Sequence, residues 1–402
     1  MKRICKRWLL LLSVPIYLSC SNSDIEVPMQ AESLTIELNA QQRSIRDMGN
    51  DFANNLLIHA SEEDKNVLLS PISLQFILGM TANGTNEKAY DELVNVLGLS
   101  DYSLEELNDY HQTMITGLSE KVENVDFSLG NAIWVQDGFS VKDLFIANMK
   151  DYYDASINNI DFTNTEDAQV KIDEWAYKTT NSTIKNLQLP LTASTKLVLN
   201  NACFFKGKWS SPFDEKNTQQ RSFYGEGGDV ASVQFMQSKK SMSYLQGDGY
   251  EQIFMSFEGG FSMSFVLPQK GCNLEDILPE VNWIAPKNLR EVTVDLKLPK
   301  FKMELIRNLN LVLQEMGIKE IYNSGSLPNL ANDLAVSLIQ QNISIGIDES
   351  GVKASATTSG TIHPSANVSS VVSFDLNRPF AFAIRENSSK TLLFIGKVAN
   401  FK

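Results

Sequence analysis

Ile343-Ser-Ile-Gly-Ile347, then Asp348-Glu-Ser-Gly351, then Val352-Lys-Ala-Ser-Ala-Thr-Thr-Ser-Gly-Thr-Ile362 form one continuous stretch whose reading decides the fold. The first five residues alternate with the period of a strand, and Asp348 to Gly351 has the composition of a turn. The segment after Gly351 is built of small residues, carries a single charge at Lys353, and contains no proline before Pro364. The plain reading is a flexible Ser/Thr/Gly-rich loop. A structureless loop of this length is uncommon in a compact domain, however, and usually serves a function. If the segment is extended, Val352, Ala354, Ala356, Thr358, Gly360 and Ile362 share one small, mostly apolar face. Lys353, Ser355, Thr357, Ser359 and Thr361 share a polar one. Every residue keeps an N–H for a sheet ladder, and Gly351 supplies a pivot. The composition suits a loop that becomes a strand inside a sheet.

Outward from that stretch, helical periods dominate the first half of the chain and strand periods the second. Ile45 to His59 repeats its apolar residues as a helix does. Ser70 stands as an N-cap and Pro71 in the first turn of a second helix, Ile72 to Met80, apolar nearly all round and therefore central. Glu87–Leu97, Val141–Tyr153, Ile172–Thr180 and Asn308–Met316 also read as helices. Phe127–Val135 alternates like a strand, and Lys196–Phe205 is a nearly continuous apolar run expected to be buried on both faces. From Val230 onward strands prevail, and Gly225–Gly228 and Gly247–Gly249 read as hairpin turns. With no linker and no repeat, the pattern implies one α+β domain.

The chain has 35 basic and 48 acidic residues, a net charge of −13. That disfavours nucleic-acid binding, which needs a basic face. The three histidines, His59, His111 and His363, stand apart from any nucleophile–base or metal-ligand pattern, and there is no G-x-S-x-G, H-E-x-x-H or P-loop motif. No enzymatic activity, cofactor or metal is expected. Cys5, Cys20, Cys203 and Cys272 form no C-x-x-C pair; Cys203 and Cys272 are expected to be buried free thiols, although an oxidising compartment would permit pairing.

Residues 1–19 join a basic start to an apolar stretch too short to span a bilayer core of about 30 Å, the pattern of a secretory signal. Leu18-Ser-Cys20 resembles a bacterial lipobox, which makes Cys20 the lipidated N-terminus and residues 20–44 a tether. Lys2, Arg3, Lys6 and Arg7 leave with the signal, so 31 minus 48 gives −17 for the remainder. The expected location is the outer membrane or cell surface of a bacterium, with periplasmic or secreted forms as alternatives.

Several motifs, taken in order, are similar to those of the serpin family over residues 45–402. They are Asn66-Val-Leu-Leu-Ser-Pro-Ile-Ser-Leu74, Asn131-Ala-Ile-Trp-Val135, Asn200-Asn-Ala-Cys-Phe-Phe-Lys-Gly-Lys-Trp-Ser-Ser-Pro-Phe213, Leu298-Pro-Lys-Phe301, Glu349-Ser-Gly-Val352, Arg378-Pro-Phe-Ala-Phe-Ala-Ile384 and Leu393-Phe-Ile-Gly-Lys-Val398. The resemblance implies about eight or nine helices around three β-sheets with an exposed reactive-centre loop at about 349–374. It implies a monomeric suicide-substrate inhibitor that forms a covalent acyl complex with a serine protease and then inserts its cut loop into the central sheet. By the family's loop spacing, the resemblance implies a reactive bond between Ser365 and Ala366, with Ile362, His363 and Pro364 facing the protease. A small residue at the cut suits elastase- or subtilisin-like pockets; inhibition of papain-like cysteine proteases and a non-inhibitory binding or chaperone-like role are the alternatives. The hinge is Glu349, Ser350, Gly351, Val352, Lys353, Ala354, Ser355 and Ala356. Trp209 and the pair Lys300–Glu349 are implied where the loop first enters the sheet. Ser70, Ser73, Asn200, Asn201 and Gln341 are implied where the sheet parts. Gln341 replaces the family's usual histidine, with altered strength expected rather than loss, since an amide both donates and accepts.

Overall fold

The computed structural model describes residues 33–63, 66–351 and 371–401. The first part contains helix α1 (Ala40–Glu63), strand β1 (Val67–Leu69), α2 (Pro71–Ala82), α3 (Glu87–Val96), α4 (Leu104–Leu118), β2 (Val125–Gln136), α5 (Asp143–Tyr153), β3 (Ser156–Ile160), α6 (Thr165–Thr179) and β4 (Leu197–Gly207). Then come β5 (Gln219–Tyr224), β6 (Val230–Gln246), β7 (Tyr250–Ser256), β8 (Phe261–Pro268), the single-turn α7 (Leu274–Ile277), β9 (Arg290–Pro299) and β10 (Phe301–Asn308). The chain closes with α8 (Asn310–Met316), β11 (Leu338–Ile347), β12 (Val372–Asp375), β13 (Phe380–Glu386) and β14 (Leu392–Val398).

A five-stranded sheet has the order β10-β11-β4-β2-β3, and a nine-stranded sheet the order β1-β14-β13-β8-β7-β6-β9-β12 with β5 added to β6. Among the described residues the strands form two continuous sheets, two of the three expected sheets being joined edge to edge. The cause is β6, which pairs β9 through Phe235–Tyr244 and β7 through Ser243–Gln246, so two sheet segments share one unbroken strand. Both glycine-rich turns close hairpins, β5–β6 and β6–β7, as their composition suggested.

Helix α2 is buried at every position and lies between the sheets, against β2 and β4 on one side and β14 on the other. Its lack of a polar face is the sequence signature of that sandwiched place. Pro71 occupies the first turn, but Ser70 makes no side-chain cap; its hydroxyl sits 2.7 Å from that of Ser73 instead. Gly79 lets α4 approach α2, because a Cβ there would collide with the His111 ring and the Tyr153 hydroxyl. Burial holds His111 far below the usual histidine range, at about 3, so the ring is neutral packing material.

The domain begins earlier than Ile45. Leu34, Ile36 and Leu38 are buried while their neighbours are exposed, and Leu34 N donates to Gly259 O at 3.1 Å. Residues 33–39 are thus a strap laid on the domain, and the expected tether loses its last part to it. A Cβ at Gly260 would press on the Leu34 backbone, which explains the glycine at that crossing. Cys203 is buried and free, whereas Cys272 is free but exposed, against the expectation of burial for both.

Candidate functional site

β11 and β4 end level, Ile347 falling opposite Gly207 in register, and the chain after β11 then reverses. Gly351 N donates back to Asp348 O at 3.2 Å, and the Asp348 carboxylate accepts from both the Ser350 N–H and the Ser350 hydroxyl. The turn is gripped from the segment after β4. Trp209 Nε1 donates to Asp348 O at 3.0 Å, Trp209 N to Ser350 O at 3.0 Å, and Phe213 N to Glu349 O at 2.8 Å. The Trp209 ring is itself fixed, stacked on Phe257 at 4.1 Å between centroids.

The Glu349 side chain closes the clamp. Lys300 Nζ lies 2.6 Å from one carboxylate oxygen, and the Thr218 hydroxyl donates to the other at 2.6 Å. Burial alone would raise this carboxyl; the Lys300, Thr218 and backbone hydrogen bonds outweigh it and hold the group below the usual carboxylate range. Gly351 has φ of +93° and packs directly on the chain leaving β4: a Cβ would strike Gly207 O and Trp209 N. Only glycine accepts both that backbone and that contact.

Gly351 therefore stands at the mouth of the junction between β4 and β11. These two strands pair in parallel, from Leu338↔Val198 to Ile345↔Phe205, with no strand between them. Their outer neighbours, β2 on β4 and β10 on β11, are antiparallel. A strand that followed the reversal at Gly351 into this seam would run antiparallel to both its neighbours.

The middle of the seam carries amides, Gln340, Gln341 and Asn342 facing Asn200 and Asn201, between apolar residues on either side. On the face toward α2, Gln341 bonds the Ser70 backbone twice: Ser70 N donates to Gln341 Oε1 at 3.0 Å, and Gln341 Nε2 donates to Ser70 O at 2.7 Å. Cys203 lies on the same face, where burial pushes its thiol up to about 12 against the opposing effect of the Ser73 and Ser70 hydroxyls, leaving it unreactive. Asn201, opposite Gln341 in register, donates to Gly130 O and Asn131 Oδ1. Asn200 points to the other face. There Asn342 Nδ2 crosses the seam to Asn200 Oδ1 at 2.6 Å and to Asn201 O at 3.1 Å. Asn131 Nδ2, Asn200 Nδ2 and Asn201 Oδ1 are buried without a partner among the described residues.

The family described as Serpin (serine protease inhibitor) matches residues 47–401 of this chain. The chain belongs to the serpin family. A serpin-like protein of Thermococcus kodakarensis is 28% identical over 379 residues, 90% of this chain and 87% of its own length. Among solved structures, the thermophilic serpin tengpin in its native state superposes with a TM-score of 0.83 at 26% identity, covering 93% of this chain and 98% of that one. Arabidopsis AtSerpin1 in its native stressed conformation gives 0.80 at 27% identity, covering 90% and 99%.

Of the residues singled out in this serpin's sequence, the structure gathers Trp209, Lys300, Glu349, Ser350 and Gly351 at one point. It joins Ser70, Ser73 and Gln341 beneath the seam, and it separates Asn200 from Asn201 onto opposite faces. Cys20, Val352, Lys353, Ala354, Ser355, Ala356, Ile362, His363, Pro364, Ser365 and Ala366 lie outside the described residues. Thr218, Phe257 and Asn342 take part without having been picked from the sequence, and Asn131 enters there only as the first residue of a family motif. The one available signal was the run Gln340-Gln-Asn342, three amides in what otherwise reads as a buried strand.

Proposed function

We propose that this serpin inhibits serine proteases as a suicide substrate, cut between Ser365 and Ala366 by an enzyme with a small primary pocket. The protease serine attacks the Ser365 carbonyl, the bond to Ala366 breaks with its nitrogen leaving as an amine, and an ester joins inhibitor to enzyme. The freed loop then folds through Gly351 into the β4–β11 seam. Opening the seam gives up one parallel ladder and inserting the strand makes two antiparallel ones, the slightly stronger kind. Residues 352–365 number 14, and at about 3.3 Å each they reach about 46 Å. The 11 residues of β4 reach about 36 Å, so the ester-linked enzyme is drawn past the far end of the sheet. Distortion of its oxyanion hole and triad there stalls deacylation.

The observation that carries this reading is the position of Gly351, a left-handed reversal seated at the mouth of a seam whose two strands are parallel and carry amides at their middle. An anchor at Cys20 makes the inhibitor an exported lipoprotein held at the cell envelope. Mixing the protein with pancreatic elastase and with subtilisin tests the function: a covalent complex that survives SDS is expected. Clean cleavage without complex, for each small-pocket enzyme tried, would sink the inhibitory reading. Palmitate labelling of the wild type but not of Cys20→Ser tests the anchor separately.

A further inference from the structure

A second site lies between the strap of residues 33–39 and helix α1. A cleft of about 430 Å³ opens there, walled by Thr35, Glu37, Arg43 and Arg46 and by the β13–β14 turn at 388–390. The strap is seated on that turn, since Ile36 N donates to the Ser388 hydroxyl at 2.8 Å. Arg43 reaches back from α1, and its Nη1 donates to Leu38 O at 2.5 Å. Arg46 forms the buried floor, with Nε on the Asp47 carboxylate at 2.7 Å and Nη1 on Ser389 O. Strap, helix and turn thus meet around one concave surface.

Most acceptors around this surface are already used, and the cations are not. The buried Glu386 carboxylate beneath the turn takes four bonds, from the N–H and the hydroxyl of both Ser388 and Ser389. Asp47 pairs with Arg46 from outside the cleft, its side chain 61% exposed. Arg43 and Lys390 make no ion pair among the described residues, and Arg46 keeps its second amino group without a partner there. The lining therefore carries three cations and one exposed carboxylate, Glu37, in a chain whose net charge is −13. Lys390 adds a further sign. Its φ is +61°, a left-handed backbone that glycine or asparagine adopts more readily in a turn. A lysine held there at some conformational cost points to a use for its side chain.

We propose that this cleft binds a phosphate group, held by Arg43, Arg46 and Lys390. Two guanidinium groups and an ammonium around one point suit a tetrahedral oxyanion better than a planar carboxylate, which a single guanidinium satisfies. The cleft is much larger than a phosphate, so the group arrives on a carrier, as a monoester or a lipid head group. Glu37 at the rim opposes the ligand and limits its affinity. Because Arg43 also holds Leu38 O, a phosphate that orders its guanidinium fastens the strap to α1 and to the turn. The site shares no residue with the seam or the Glu349 clamp and stands or falls apart from the inhibitory function.

Inorganic phosphate titrated into the intact protein, against sodium chloride of equal ionic strength, tests the site by calorimetry and by hydrogen exchange. Saturable binding at about 1–10 mM phosphate is expected, with slower exchange at the strap N–H groups of Leu34 and Ile36. Lys390→Asn, which keeps a residue that tolerates the left-handed backbone, should weaken binding at least about tenfold, since a charge-assisted bond is lost. Arg43→Gln should do the same, whereas Glu37→Gln should tighten binding about twofold. Phenyl phosphate, set beside phosphatidylcholine vesicles with and without phosphatidic acid, separates the carriers. Retention on the acidic vesicles that Lys390→Asn abolishes assigns a head group; binding of phenyl phosphate without retention assigns a soluble ester. The chloride-matched titration is made on wild-type protein, so it stands even if a variant misfolds. No saturable binding below about 10 mM, or equal affinity in wild type, Lys390→Asn and Arg43→Gln, would overturn the proposal.

Discussion

The β4–β11 seam and the β8–β13–β14 core belong to the same domain and are built on opposite principles. In the core every neighbouring pair is antiparallel, β8 and β14 are buried at every residue, and aromatic side chains such as Phe265, Phe382 and Phe394 fill the interior. In the seam the pairing is parallel, the buried side chains include Asn200, Asn201, Gln340, Gln341 and Asn342, and some of their amide atoms have no partner among the described residues. Hydrocarbon packing holds wherever it is and is lost in proportion to the area exposed. Amide contacts across a seam hold it in register but can be exchanged for those of an incoming strand. One region is held by packed hydrocarbon area, the other in part by exchangeable amide contacts.

That contrast can be broken from either side. Phe382→Ala, at a fully buried position 5.7 Å from the Phe301 ring, should cost about 3–5 kcal/mol. The loss should be the same in intact and loop-cleaved protein, because this core does not change; urea unfolding of both forms measures it. Gly351→Ala should cost the intact protein about 2–3 kcal/mol through its left-handed backbone and the contacts with Gly207 and Trp209. The cleaved protein should lose much less once the turn is drawn out. Asn342→Ala removes the bonds to Asn200 and Asn201 and should cost about 1–2 kcal/mol in the intact form alone, with faster loss of activity on incubation as the seam opens more readily.

The smallest effect concerns the clamp above the seam. Glu349→Gln should cost about 1 kcal/mol at neutral pH. The folded-state pKa of Glu349 is depressed, so its contribution is complete above the ordinary value of about 4.5 and is lost as pH falls below it. Stability curves of wild type and Glu349→Gln should therefore converge in acid and separate toward neutrality. Parallel curves across that range would remove Glu349 from the clamp.

The sequence showed the two strands of the seam and the loop after them more clearly than it showed what makes the seam special. The period of Ile343–Ile347 and the apolar run 196–205 were enough to place buried strands, since local alternation reports which faces are covered. They could not show that β4 and β11 are direct parallel neighbours, because that pairing joins residues about 140 positions apart and leaves no local mark. Trp209, Lys300 and Glu349 came from family resemblance, and their bonds depend on three segments converging. The strap at Leu34, Ile36 and Leu38 did alternate in sequence, but its burial depends on a distant turn at Gly259–Gly260. The joining of two sheet segments was hidden because the middle of β6, Gln237-Ser-Lys-Lys-Ser241, is polar and reads as a break.

The central claim is that the loop after Gly351 becomes a strand between β4 and β11 once it is cut. Thermal unfolding of the protein before and after limited cleavage within residues 352–366 tests it most directly. Insertion exchanges one parallel ladder for two antiparallel ones, so the cleaved protein should melt on the order of 20 °C or more above the intact one. A cleaved protein that melts at the same temperature, or lower, would contradict the account.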